Sequence, residues 1–306
     1  MKTVFQRPDD PYIYLYVMGK WYCYDPLSTP LGQGAMGTVY LGYDVDSGTP
    51  MAIKRVNDAF SNNLMIRARA KQEASLAFRH KNLIEMIGYC ELYPDKGPIF
   101  LISKFVKGQN IDSYLKGISD FSLRFDETCK AICQVLDALE YIHSRGVIHR
   151  DIKPSNIMVE EGLNVRLMDL GIARLNDGNS FSKHGFIGTP EYSAPEQILR
   201  DKTGSVQIDA STDIYELGVS FFELLTGKNP FASNVEIEVL TRQLRENLPK
   251  DDAIPIKLMH VIWKATEKEQ SKRYKRAAEF KAAIVEALKP PVPLITRIKQ
   301  WIMQQF

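Results

Sequence analysis

The sequence predicts an α+β chain of two lobes with a ligand cleft between them. Three observations carry that prediction. Residues 12–56 read as strands, the segments beyond residue 108 read as helices, and the change of character falls at 104–108. The chain has 306 residues, 44% of them hydrophobic, which is ample for a buried core in each half.

The first element is a strand over 12–18, rich in aromatic and β-branched residues. Gly19 and Lys20 turn the chain, and the pattern resumes over 21–24. Short strands over 39–42 and 51–56 flank Asp46, Ser47 and Gly48, which have hairpin-turn chemistry. A helix is predicted over 64–79, where Leu64, Ala68, Ala74 and Ala77 sit among charges. Strands return near 83–92 and 99–105.

The next segment, 126–144, repeats apolar residues at helical spacing through Ile132, Val135, Leu136, Leu139 and Ile142, with Asp126 as the expected N-cap. An apolar helix over 209–226 is stopped by Gly227, and further helices are expected at 234–247, 256–267 and 275–288. Pro290, Pro291 and Pro293 then form a stiff spacer. Beyond them Ile295, Ile298, Ile302 and Phe306 make one helical stripe near Arg297 and Lys299, with no acid from 288 onward. Such a basic amphipathic helix over 294–306 could contact a membrane surface or a partner; packing on the chain's own helical lobe is the preferred reading. The expected division is an extension with an extra strand over 1–23, a small lobe over 24–104, a large lobe over 105–288 and the amphipathic helix over 289–306.

Bulk properties exclude more than they assign. With 39 basic and 37 acidic residues the formal charge is +2, and nothing points to nucleic acid. Asp9, Asp10 and two prolines occupy the first eleven residues, where a secretion signal needs an apolar core. No apolar run approaches the ~20 residues that span a bilayer, so a soluble, cytoplasmic protein is expected. Of the four cysteines, Cys23, Cys90, Cys129 and Cys133, the last pair share a helix face at a spacing of four. They could be a metal pair; buried free thiols in a reducing compartment are the preferred reading.

The chemistry concentrates in residues 149–169. His149, Arg150, Asp151, Ile152, Lys153, Pro154, Ser155 and Asn156 are followed by Asp169, Leu170 and Gly171. A carboxylate beside an attacking hydroxyl, oxygen ligands for Mg²⁺ and a cation on the transferred group are the inventory of phosphoryl transfer. Upstream, Gly32, Gly34 and Gly37 have G-x-G-x-x-G spacing. A glycine-rich hairpin and a dinucleotide-binding turn fit the same letters, but a strand follows Gly37, which disfavours the dinucleotide reading. Lys54, between the apolar Ile53 and Val56, is read as an inward cation that needs an anion. Glu73 is the candidate, with Glu85 and Glu91 as weaker alternatives.

Together these motifs resemble a eukaryotic-type (Hanks-type) protein serine/threonine kinase, over about residues 24–288. The resemblance implies the bilobal protein-kinase fold, ATP and Mg²⁺ (or Mn²⁺) as cofactors, and protein substrates. By it, the catalytic set is Lys54, Glu73, Asp151 and Lys153. Gly32, Gly34, Gly37, Val39, Ala52, Lys54, Ser103 and Met158 bind the nucleotide, and Asn156 and Asp169 hold the metal. Gly188, Thr189 and Pro190, running to Ala194, Pro195 and Glu196, resemble the platform that receives a polypeptide, and Thr189 with Lys153 is similar to Ser/Thr rather than tyrosine kinases. Asp213, Glu196 and Arg273 match structural positions: Asp213 holds the catalytic loop, and Arg273 pairs with Glu196. Ala35 and Met36 in the glycine loop, and the run from Pro190 to Gln197, resemble bacterial members.

Two residues depart from the family pattern. Leu170 stands where phenylalanine is usual, and Ser103, small for its place behind the adenine pocket, predicts a deeper cavity there. A hinge is expected at 104–106. Arg150 beside Asp151 implies control by phosphate on the activation segment, with Ser180, Ser182 or Thr189 as autophosphorylation sites and self-association for transfer in trans. The rival reading is a pseudokinase-type binding scaffold, opposed by intact Lys54, Asp151, Asn156 and Asp169. A small-molecule kinase is opposed by the 188–196 platform.

Overall fold

The computed structural model describes residues 3–34, 37–58, 64–76, 78–93, 96–169, 181–182, 185–186, 189–199 and 207–290. The small lobe is one curled sheet whose strands are β1 (Val4–Gln6), β2 (Ile13–Val17), β3 (Lys20–Tyr24), β4 (Gly32–Gly34), β5 (Gly37–Asp44), β6 (Pro50–Val56), β7 (Met86–Tyr93) and β8 (Lys96–Lys104). Their spatial order is β1-β2-β3-β5-β6-β8-β7, with β4 paired to β5, and every pairing is antiparallel. Helix α1 (Leu64–Ser75) packs on this sheet.

Alternation along the strands gives the sheet two distinct faces. Met51, Ile53, Phe100 and Ile102 point one way and are sealed by Leu15, Val17, Tyr22 and Tyr24 from the β2–β3 hairpin. The other face carries Leu101 and Val56 towards Ala70 of α1. The extra strand expected over 12–18 is therefore a lid on a face that would otherwise be apolar and open, and β1 adds a further strand the sequence did not suggest. The curl brings the ends of the sheet together: the Thr3 hydroxyl donates to the Glu91 carbonyl at 2.8 Å. A Cβ on Gly88 would lie 2.5 Å from Val17 Cγ1, so a side chain at 88 would wedge the lid off.

Residues 105–107 carry the chain into the large lobe, where β9 (Gly108–Asn110) pairs with β10 (Ile157–Glu160), and β10 pairs with β11 (Asn164–Leu167). The helices are α2 (Ile111–Lys116), α3 (Phe121–His143), α4 (Pro195–Leu199), α5 (Ala210–Thr226), α6 (Glu236–Arg245), α7 (Ile256–Ala265) and α8 (Ala277–Ala287). A two-residue pair, β12 (Phe181–Ser182) and β13 (Gly185–Phe186), lies between β11 and α4.

Helix α3 begins at Phe121, not at 126. Asp120 is its cap, accepting from the Leu123 amide at 2.7 Å. Asp126 sits inside the helix; the exposed Phe121 and Leu123 supply no buried stripe in the first turn, so the apolar period begins late. Helix α5 is sealed at both ends, by the Asp209 carboxylate on Ser211 N and by Gly227 at φ 75°. It is buried nearly all round and forms the centre of the large core, with α3, α7 and α8 packed about it. Each fully buried leucine or isoleucine there contributes about 2 kcal/mol. Cys129 and Cys133 lie on α3, and all four cysteines are free thiols. Burial pushes the Cys129 thiol up to about 12.

The lobes are joined a second time behind the cleft. Leu83 bridges to Leu167, and the Asn82 side chain donates to Gln134 Oε1 at 2.8 Å and to the Val165 carbonyl at 2.9 Å. Among the described residues no helix is long and apolar enough to cross a membrane. The amphipathic segment expected over 294–306 lies outside the described residues.

Candidate active site

Helix α5 builds the floor of the site. Asp213 accepts from His149 N at 2.8 Å and from Arg150 N at 2.7 Å, and His143 Nε2 lies 2.7 Å from the same carboxylate. Burial alone would raise the Asp213 pKa; the His143 contact, the nearby His149 and the Arg150 amide outweigh it and hold the carboxyl below its ordinary value. One turn on, Glu216 accepts from Ile152 N at 2.8 Å. Two carboxylates three apart on one helix thus pin the amides of 149, 150 and 152.

That grip sustains an unusual backbone. Arg150 has φ 67° and Asp169 φ 41°, left-handed values that cost about 1–3 kcal/mol each for residues other than glycine. His149 joins the two, with Nε2 donating to the Met168 carbonyl at 2.8 Å and Nδ1 accepting from Asp151 N at 3.4 Å. The neutral ring satisfies both bonds, and complete burial pushes its pKa down against the pull of Asp213.

The candidate reacting groups project from this loop. Asn156 Nδ2 donates to the Asp151 carbonyl at 2.8 Å and to Asp151 Oδ2 at 3.1 Å. With its amide nitrogen so engaged, Asn156 Oδ1 is the candidate ligating end. Lys153 Nζ lies 3.3 Å from Asp151 Oδ2 and donates to Thr189 Oγ1 at 2.7 Å. From the small lobe, Lys54 Nζ reaches Asp169 Oδ2 at 3.1 Å. An amide oxygen and a carboxylate are hard donors of the kind that Mg²⁺ or Mn²⁺ takes, so Asn156 and Asp169 fit such an ion.

The nucleotide candidates fall on one sheet face. Val39 pairs with Lys54, Ala52 with Ser103, and Ala52 lies two residues from Lys54, so all four share the face towards α1. Met158, on β10, belongs to the other lobe. The three glycines are not equivalent. A Cβ on Gly37 would lie 2.3 Å from the Arg55 carbonyl, so sheet packing demands glycine there, whereas Gly32 and Gly34 face open space.

The Glu73 side chain lies outside the described residues. Of its alternatives, Glu85 pairs with Lys104 at 2.7 Å, and Glu91 pairs with Arg67 and Lys71 of α1, which sequence order does not reveal. Leu170, Gly171, Ser180 and Gly188 are outside the described residues, and of Ser182 only the backbone is described. Arg150 is buried, and the Arg273 guanidinium meets Glu196 at 2.7 and 2.8 Å, joined by Thr212 Oγ1.

Sequence reasoning missed His143, Glu216 and Gln197. Gln197 Nε2 donates to the Arg150 carbonyl at 3.1 Å and to Glu216 Oε1 at 2.9 Å, tying the 189–199 segment to the loop that carries Asp151. The one signal was that Glu216 lies three residues from Asp213 on a predicted helix.

Comparison with family models matches the protein kinase domain over residues 27–285. Two similar proteins from Myxococcus xanthus, the serine/threonine-protein kinases Pkn1 and pkn3, are 33% and 32% identical over 87% and 83% of this chain. PknB of Mycobacterium leprae is 30% identical over 83%. The chain spans 38%, 48% and 41% of these relatives' lengths. Among solved structures, a mutant PknI kinase domain of Mycobacterium tuberculosis matches with TM-score 0.63 over 88% of this chain and 96% of that one, at 22% identity, which establishes the fold.

Proposed function

The chain belongs to the protein kinase family, and we propose that it transfers the γ-phosphoryl group of ATP to serine or threonine hydroxyls of protein substrates. The observation that carries this reading is the position of Lys153, between Asp151 Oδ2 at 3.3 Å and Thr189 Oγ1 at 2.7 Å. One amine thereby links the candidate base to the peptide platform. In this reading residues 24–104 are the nucleotide lobe and 105–288 the substrate lobe.

Asp151 orients the acceptor hydroxyl and takes its proton, steadied by the Asn156 amide. Lys153 holds positive charge beside the transferred group, and Lys54 holds the α- and β-phosphates. Mg²⁺ or Mn²⁺, held by Asn156 and Asp169, would supply charge neutralisation on the phosphates. Gly32 and Gly34, with open space where a side chain would stand, let backbone amides approach the phosphates. Catalysis is then positioning and electrostatics.

Autophosphorylation at Ser180, Ser182 or Thr189, in trans between copies, belongs to the same proposal, with Arg150 as the cation that would receive the phosphate. The location we propose is the cytoplasm, which the four free thiols support, with 294–306 as a proposed contact for a membrane surface or partner.

The test incubates the protein with Mg²⁺, labelled ATP and a generic Ser/Thr substrate, beside Asp151→Asn. Transfer by the wild type and a loss of about 10²-fold or more in the variant are expected. Equal transfer by both overturns the catalytic assignment, and ATP binding without transfer by either favours the scaffold. Peptide mapping of the labelled protein locates the autophosphorylation site; label confined outside 171–192 overturns that part.

A further inference from the structure

We propose that Arg67 is a positioning residue for phosphoryl transfer, bolting helix α1, and with it the position of Glu73, to the β7–β8 hairpin. The inference rests on the kinase reading above and concerns residues that the motifs do not touch.

Arg67 is only 2% exposed, although it stands mid-helix in a polar sequence. Its guanidinium donates to Glu91 Oε2 through Nε at 3.2 Å and Nη2 at 2.6 Å. The same fork reaches the Gly97 carbonyl at 2.9 Å, the Tyr93 carbonyl at 2.9 Å and the Lys96 carbonyl at 3.1 Å. One side chain therefore reads both strands of the hairpin and its turn. Lys71, one helical turn on, meets the other oxygen of Glu91 at 3.0 Å, and the Tyr89 hydroxyl donates to Glu91 Oε2 at 2.7 Å. Burial would raise the Glu91 carboxyl, but these partners hold it below its ordinary value.

Among the described side chains of the helix, little apolar surface holds it. Among its described side chains Arg67 and Ala70 are buried and Ala74 is half-buried, while Leu64 is exposed. Alanine methyls resist neither rotation nor sliding, because they bury little area and have no directional bonds. A planar fork on a carboxylate and three carbonyls fixes both. Residue 73 lies six positions on, about 9 Å along the same rigid rod. Any pivot at Arg67 therefore displaces residue 73 relative to Lys54 on the sheet.

The alternative is that Arg67 merely stabilises the small lobe, and a mutant cycle separates the two. Wild type, Arg67→Met, Glu73→Gln and the double variant are compared for kcat, KM for ATP and thermal melting. The expected result is a fall in kcat of about tenfold or more for Arg67→Met in the wild-type background, and less than about twofold in the Glu73→Gln background. Equal fold-changes in both backgrounds, or wild-type kcat in Arg67→Met, overturn the proposal. Should Arg67→Met fail to fold, Arg67→Lys, which keeps the charge and loses the fork, replaces it under the same two criteria. Failure of both to fold makes the role structural and also overturns it.

Hydrogen exchange over 64–75 gives a readout independent of phosphate transfer. Faster exchange in Arg67→Met, with α5 unchanged, is expected; unchanged protection overturns the proposal even if the wild type is inactive. An inactive wild type by itself defeats the kinase reading, not the bolt.

Discussion

The Asp213 carboxylate accepts the backbone amide of Arg150 at 2.7 Å across 63 positions of sequence. A residue in the middle of the most buried helix thereby sets the backbone of the residue next to Asp151. Core and chemistry are in direct contact, so a change at 213 affects stability and rate together.

Asp213→Asn keeps the shape of the side chain and removes the charge shared by His149, Arg150 and His143. The expected cost is on the order of 3 kcal/mol in urea unfolding, with kcat down about tenfold or more and KM for ATP changed little. Because the folded carboxyl is depressed, this stabilisation is present above the unfolded value of about 4 and is lost as pH falls through the folded one. A variant with wild-type unfolding and kcat would show that the two amides hold the loop without the charge.

His149 gives a second pH dependence with a higher onset. Its folded pKa is lowered by burial, so below about 6.5 the unfolded chain binds a proton that the folded chain refuses. Stability from this group is complete above that pH and declines as pH falls through it. Thermal melting at pH 7.5 and 5.5 should show a drop in wild type and a shallower one in His149→Gln. Parallel slopes in the two proteins would contradict the assignment.

The hydroxyl of Thr189 is held by Lys153 at 2.7 Å. Thr189→Ser keeps that acceptor and is expected to retain kcat within about threefold, whereas Thr189→Ala should lose about tenfold. Steady-state kinetics on a fixed peptide distinguishes them. Similar rates in the alanine and serine variants would remove the link between platform and catalytic loop.

Arg273 and Glu196 form a fully buried pair, with Thr212 as a third member. Breaking it from one side strands a charge, so Arg273→Met should cost about 3–5 kcal/mol. Adding Glu196→Gln removes the stranded charge, and the double variant should lose less than the sum of the singles. Additive losses in chemical unfolding would mean that the two residues act separately.

The grouping of the candidate site was legible because its residues stand at short, ordered spacings, Gly32 to Lys54, then Asp151 to Asp169, and the structure brings Lys54 to Asp169 and Lys153 and Asn156 to Asp151. The supporting polar residues were not legible. Gln197 and His143 matter through contacts across 47 and 70 positions, and no local pattern distinguishes them from surface polar residues. Arg67 was hidden for a related reason. An arginine among Arg69-like helical charges would ordinarily be solvated, and only the turn carbonyls of a hairpin some thirty residues away make it a core residue. The cap at Asp120 escaped because capping chemistry and hydrophobic period started six residues apart.

Results

Sequence analysis

The sequence predicts an α+β chain of two lobes with a ligand cleft between them. Three observations carry that prediction. Residues 12–56 read as strands, the segments beyond residue 108 read as helices, and the change of character falls at 104–108. The chain has 306 residues, 44% of them hydrophobic, which is ample for a buried core in each half.

The first element is a strand over 12–18, rich in aromatic and β-branched residues. Gly19 and Lys20 turn the chain, and the pattern resumes over 21–24. Short strands over 39–42 and 51–56 flank Asp46, Ser47 and Gly48, which have hairpin-turn chemistry. A helix is predicted over 64–79, where Leu64, Ala68, Ala74 and Ala77 sit among charges. Strands return near 83–92 and 99–105.

The next segment, 126–144, repeats apolar residues at helical spacing through Ile132, Val135, Leu136, Leu139 and Ile142, with Asp126 as the expected N-cap. An apolar helix over 209–226 is stopped by Gly227, and further helices are expected at 234–247, 256–267 and 275–288. Pro290, Pro291 and Pro293 then form a stiff spacer. Beyond them Ile295, Ile298, Ile302 and Phe306 make one helical stripe near Arg297 and Lys299, with no acid from 288 onward. Such a basic amphipathic helix over 294–306 could contact a membrane surface or a partner; packing on the chain's own helical lobe is the preferred reading. The expected division is an extension with an extra strand over 1–23, a small lobe over 24–104, a large lobe over 105–288 and the amphipathic helix over 289–306.

Bulk properties exclude more than they assign. With 39 basic and 37 acidic residues the formal charge is +2, and nothing points to nucleic acid. Asp9, Asp10 and two prolines occupy the first eleven residues, where a secretion signal needs an apolar core. No apolar run approaches the ~20 residues that span a bilayer, so a soluble, cytoplasmic protein is expected. Of the four cysteines, Cys23, Cys90, Cys129 and Cys133, the last pair share a helix face at a spacing of four. They could be a metal pair; buried free thiols in a reducing compartment are the preferred reading.

The chemistry concentrates in residues 149–169. His149, Arg150, Asp151, Ile152, Lys153, Pro154, Ser155 and Asn156 are followed by Asp169, Leu170 and Gly171. A carboxylate beside an attacking hydroxyl, oxygen ligands for Mg²⁺ and a cation on the transferred group are the inventory of phosphoryl transfer. Upstream, Gly32, Gly34 and Gly37 have G-x-G-x-x-G spacing. A glycine-rich hairpin and a dinucleotide-binding turn fit the same letters, but a strand follows Gly37, which disfavours the dinucleotide reading. Lys54, following Ala52 and Ile53 in a predicted strand, is read as an inward cation that needs an anion. Glu73 is the candidate, with Glu85 and Glu91 as weaker alternatives.

Together these motifs resemble a eukaryotic-type (Hanks-type) protein serine/threonine kinase, over about residues 24–288. The resemblance implies the bilobal protein-kinase fold, ATP and Mg²⁺ (or Mn²⁺) as cofactors, and protein substrates. By it, the catalytic set is Lys54, Glu73, Asp151 and Lys153. Gly32, Gly34, Gly37, Val39, Ala52, Lys54, Ser103 and Met158 bind the nucleotide, and Asn156 and Asp169 hold the metal. Gly188, Thr189 and Pro190, running to Ala194, Pro195 and Glu196, resemble the platform that receives a polypeptide, and Thr189 with Lys153 is similar to Ser/Thr rather than tyrosine kinases. Asp213, Glu196 and Arg273 match structural positions: Asp213 holds the catalytic loop, and Arg273 pairs with Glu196. Ala35 and Met36 in the glycine loop, and the run from Pro190 to Gln197, resemble bacterial members.

Two residues depart from the family pattern. Leu170 stands where phenylalanine is usual, and Ser103, small for its place behind the adenine pocket, predicts a deeper cavity there. A hinge is expected at 104–106. Arg150 beside Asp151 implies control by phosphate on the activation segment, with Ser180, Ser182 or Thr189 as autophosphorylation sites and self-association for transfer in trans. The rival reading is a pseudokinase-type binding scaffold, opposed by intact Lys54, Asp151, Asn156 and Asp169. A small-molecule kinase is opposed by the 188–196 platform.

Overall fold

The computed structural model describes residues 3–34, 37–58, 64–76, 78–93, 96–169, 181–182, 185–186, 189–199 and 207–290. The small lobe is one curled sheet whose strands are β1 (Val4–Gln6), β2 (Ile13–Val17), β3 (Lys20–Tyr24), β4 (Gly32–Gly34), β5 (Gly37–Asp44), β6 (Pro50–Val56), β7 (Met86–Tyr93) and β8 (Lys96–Lys104). Their spatial order is β1-β2-β3-β5-β6-β8-β7, with β4 paired to β5, and these pairings are antiparallel. Helix α1 (Leu64–Ser75) packs on this sheet.

Alternation along the strands gives the sheet two distinct faces. Met51, Ile53, Phe100 and Ile102 point one way and are sealed by Leu15, Val17, Tyr22 and Tyr24 from the β2–β3 hairpin. The other face carries Leu101 and Val56 towards Ala70 of α1. The extra strand expected over 12–18 is therefore a cover for a face that would otherwise be apolar and open, and β1 adds a further strand that the sequence pattern does not suggest. The curl brings the ends of the sheet together: the Thr3 hydroxyl donates to the Glu91 carbonyl at 2.8 Å. A Cβ on Gly88 would lie 2.5 Å from Val17 Cγ1, so a side chain at 88 would wedge the hairpin off.

Residues 105–107 carry the chain into the large lobe, where β9 (Gly108–Asn110) pairs with β10 (Ile157–Glu160), and β10 pairs with β11 (Asn164–Leu167). The helices are α2 (Ile111–Lys116), α3 (Phe121–His143), α4 (Pro195–Leu199), α5 (Ala210–Thr226), α6 (Glu236–Arg245), α7 (Ile256–Ala265) and α8 (Ala277–Ala287). A two-residue pair, β12 (Phe181–Ser182) and β13 (Gly185–Phe186), lies between β11 and α4.

Helix α3 begins at Phe121, not at 126. Asp120 is its cap, accepting from the Leu123 amide at 2.7 Å. Asp126 sits inside the helix; the exposed Phe121 and Leu123 supply no buried stripe in the first turn, so the apolar period begins late. Helix α5 is sealed at both ends, by the Asp209 carboxylate on Ser211 N and by Gly227 at φ 75°. It is buried nearly all round and forms the centre of the large core, with α3, α7 and α8 packed about it. Each fully buried leucine or isoleucine there contributes about 2 kcal/mol. Cys129 and Cys133 lie on α3, and all four cysteines are free thiols. Burial pushes the Cys129 thiol up to about 12.

The lobes are joined a second time behind the cleft. Leu83 bridges to Leu167, and the Asn82 side chain donates to Gln134 Oε1 at 2.8 Å and to the Val165 carbonyl at 2.9 Å. Among the described residues no helix is long and apolar enough to cross a membrane. The amphipathic segment expected over 294–306 lies outside the described residues.

Candidate active site

Helix α5 builds the floor of the site. Asp213 accepts from His149 N at 2.8 Å and from Arg150 N at 2.7 Å, and His143 Nε2 lies 2.7 Å from the same carboxylate. Burial alone would raise the Asp213 pKa; the His143 contact, the nearby His149 and the Arg150 amide outweigh it and hold the carboxyl below its ordinary value. One turn on, Glu216 accepts from Ile152 N at 2.8 Å. Two carboxylates three apart on one helix thus pin the amides of 149, 150 and 152.

That grip sustains a strained backbone. Arg150 has φ 67° and Asp169 φ 41°, left-handed values that cost about 1–3 kcal/mol each for residues other than glycine. His149 joins the two, with Nε2 donating to the Met168 carbonyl at 2.8 Å and Nδ1 accepting from Asp151 N at 3.4 Å. The neutral ring satisfies both bonds, and complete burial pushes its pKa down against the pull of Asp213.

The candidate reacting groups project from this loop. Asn156 Nδ2 donates to the Asp151 carbonyl at 2.8 Å and to Asp151 Oδ2 at 3.1 Å. With its amide nitrogen so engaged, Asn156 Oδ1 is the candidate ligating end. Lys153 Nζ lies 3.3 Å from Asp151 Oδ2 and donates to Thr189 Oγ1 at 2.7 Å. From the small lobe, Lys54 Nζ reaches Asp169 Oδ2 at 3.1 Å. An amide oxygen and a carboxylate are hard donors of the kind that Mg²⁺ or Mn²⁺ takes, so Asn156 and Asp169 fit such an ion.

The small-lobe nucleotide candidates fall on one sheet face. Val39 pairs with Lys54, Ala52 pairs with Ser103, and Ala52 lies two residues from Lys54, so all four share the face towards α1. Met158, on β10, belongs to the other lobe. The three glycines are not equivalent. A Cβ on Gly37 would lie 2.3 Å from the Arg55 carbonyl, so sheet packing demands glycine there, whereas Gly32 and Gly34 face open space.

The Glu73 side chain lies outside the described residues. Of its alternatives, Glu85 pairs with Lys104 at 2.7 Å, and Glu91 pairs with Arg67 and Lys71. Strand pairing and helix packing bring them these other cations, which sequence order does not reveal. Leu170, Gly171, Ser180 and Gly188 are outside the described residues, and of Ser182 only the backbone is described. Arg150 is buried, and the Arg273 guanidinium meets Glu196 at 2.7 and 2.8 Å, joined by Thr212 Oγ1.

Sequence reasoning missed His143, Glu216 and Gln197. Gln197 Nε2 donates to the Arg150 carbonyl at 3.1 Å and to Glu216 Oε1 at 2.9 Å, tying the 189–199 segment to the loop that carries Asp151. The available signal was that Glu216 lies three residues from Asp213 on a predicted helix.

Comparison with family models matches the protein kinase domain over residues 27–285. Two similar proteins from Myxococcus xanthus, the serine/threonine-protein kinases Pkn1 and pkn3, are 33% and 32% identical over 87% and 83% of this chain. PknB of Mycobacterium leprae is 30% identical over 83%. The chain spans 38%, 48% and 41% of these relatives' lengths. Among solved structures, a mutant PknI kinase domain of Mycobacterium tuberculosis matches with TM-score 0.63 over 88% of this chain and 96% of that one, at 22% identity, which establishes the fold.

Proposed function

The chain belongs to the protein kinase family, and we propose that it transfers the γ-phosphoryl group of ATP to serine or threonine hydroxyls of protein substrates. The observation that carries this reading is the position of Lys153, between Asp151 Oδ2 at 3.3 Å and Thr189 Oγ1 at 2.7 Å. One amine thereby links the candidate base to the peptide platform. In this reading residues 24–104 are the nucleotide lobe and 105–288 the substrate lobe.

Asp151 orients the acceptor hydroxyl and takes its proton, steadied by the Asn156 amide. Lys153 holds positive charge beside the transferred group, and Lys54 holds the α- and β-phosphates. Mg²⁺ or Mn²⁺, held by Asn156 and Asp169, would supply charge neutralisation on the phosphates. Gly32 and Gly34, with open space where a side chain would stand, let backbone amides approach the phosphates. Catalysis is then positioning and electrostatics.

Autophosphorylation at Ser180, Ser182 or Thr189, in trans between copies, belongs to the same proposal, with Arg150 as the cation that would receive the phosphate. The location we propose is the cytoplasm, which the four free thiols support, with 294–306 as a proposed contact for a membrane surface or partner.

The test incubates the protein with Mg²⁺, labelled ATP and a generic Ser/Thr substrate, beside Asp151→Asn. Transfer by the wild type and a loss of about 10²-fold or more in the variant are expected. Equal transfer by both overturns the catalytic assignment, and ATP binding without transfer by either favours the scaffold. Peptide mapping of the labelled protein locates the autophosphorylation site; label confined outside 171–192 overturns that part.

A further inference from the structure

We propose that Arg67 is a positioning residue for phosphoryl transfer, bolting helix α1, and with it the position of Glu73, to the β7–β8 hairpin. The inference rests on the kinase reading above and concerns residues that the motifs do not touch.

Arg67 is only 2% exposed, although it stands mid-helix in a polar sequence. Its guanidinium donates to Glu91 Oε2 through Nε at 3.2 Å and Nη2 at 2.6 Å. The same fork reaches the Gly97 carbonyl at 2.9 Å, the Tyr93 carbonyl at 2.9 Å and the Lys96 carbonyl at 3.1 Å. One side chain therefore grips both strands of the hairpin. Lys71, one helical turn on, meets the other oxygen of Glu91 at 3.0 Å, and the Tyr89 hydroxyl donates to Glu91 Oε2 at 2.7 Å. Burial would raise the Glu91 carboxyl, but these partners hold it below its ordinary value.

Among the described side chains of the helix, little apolar surface holds it. Among its described side chains Arg67 and Ala70 are buried and Ala74 is half-buried, while Leu64 is exposed. Alanine methyls resist rotation and sliding only weakly, because they bury little area and make no directional bonds. A planar fork on a carboxylate and three carbonyls fixes both motions. Residue 73 lies six positions on, about 9 Å along the same rod. Any pivot at Arg67 therefore displaces residue 73 relative to Lys54 on the sheet.

The alternative is that Arg67 merely stabilises the small lobe, and a mutant cycle separates the two. Wild type, Arg67→Met, Glu73→Gln and the double variant are compared for kcat, KM for ATP and thermal melting. The expected result is a fall in kcat of about tenfold or more for Arg67→Met in the wild-type background, and less than about twofold in the Glu73→Gln background. Equal fold-changes in both backgrounds, or wild-type kcat in Arg67→Met, overturn the proposal. Should Arg67→Met fail to fold, Arg67→Lys, which keeps the charge and loses the fork, replaces it under the same two criteria. Failure of both to fold makes the role structural and also overturns it.

Hydrogen exchange over 64–75 gives a readout independent of phosphate transfer. Faster exchange in Arg67→Met, with α5 unchanged, is expected; unchanged protection overturns the proposal even if the wild type is inactive. An inactive wild type by itself defeats the kinase reading, not the bolt.

Discussion

The Asp213 carboxylate accepts the backbone amide of Arg150 at 2.7 Å across 63 positions of sequence. A residue on the most buried helix thereby sets the backbone of the residue next to Asp151. Core and chemistry are in direct contact, so a change at 213 affects stability and rate together.

Asp213→Asn keeps the shape of the side chain and removes the charge shared by His149, Arg150 and His143. The expected cost is on the order of 3 kcal/mol in urea unfolding, with kcat down about tenfold or more and KM for ATP changed little. Because the folded carboxyl is depressed, this stabilisation is present above the unfolded value of about 4 and is lost as pH falls through the folded one. A variant with wild-type unfolding and kcat would show that the two amides hold the loop without the charge.

His149 gives a second pH dependence with a higher onset. Its folded pKa is lowered by burial, so below about 6.5 the unfolded chain binds a proton that the folded chain refuses. Stability from this group is complete above that pH and declines as pH falls through it. Thermal melting at about pH 7.5 and about pH 5.5, on either side of that value, should show a drop in wild type and a shallower one in His149→Gln. Parallel slopes in the two proteins would contradict the assignment.

The hydroxyl of Thr189 is held by Lys153 at 2.7 Å. Thr189→Ser keeps that acceptor and is expected to retain kcat within about threefold, whereas Thr189→Ala should lose about tenfold. Steady-state kinetics on a fixed peptide distinguishes them. Similar rates in the alanine and serine variants would remove the link between platform and catalytic loop.

Arg273 and Glu196 form a buried pair, with Thr212 as a third member. Breaking it from one side strands a charge, so Arg273→Met should cost about 3–5 kcal/mol. Adding Glu196→Gln removes the stranded charge, and the double variant should lose less than the sum of the singles. Additive losses in chemical unfolding would mean that the two residues act separately.

The grouping of the candidate site was legible because its residues stand at short, ordered spacings, Gly32 to Lys54, then Asp151 to Asp169, and the structure brings Lys54 to Asp169 and Lys153 and Asn156 to Asp151. The supporting polar residues were not legible. Gln197 and His143 matter through contacts across 47 and 70 positions, and no local pattern distinguishes them from surface polar residues. Arg67 was hidden for a related reason. An arginine among the charges of a polar helix is ordinarily solvated, and it becomes a core residue here through hairpin carbonyls 26 to 30 positions away. The cap at Asp120 escaped because the turn it serves is exposed and has no apolar period to mark it.

A ribosome delivers the hairpin formed by β2 and β3 well before residues 86–104 exist. Until then Leu15, Val17 and Tyr22 lack the strands that bury them, and a lone two-stranded hairpin is marginal in water. Because Thr3 closes on Glu91, the strand beside it can settle only once β7 is in place. A chain that ends before β8 therefore leaves the apolar face of this hairpin without the strands that bury it.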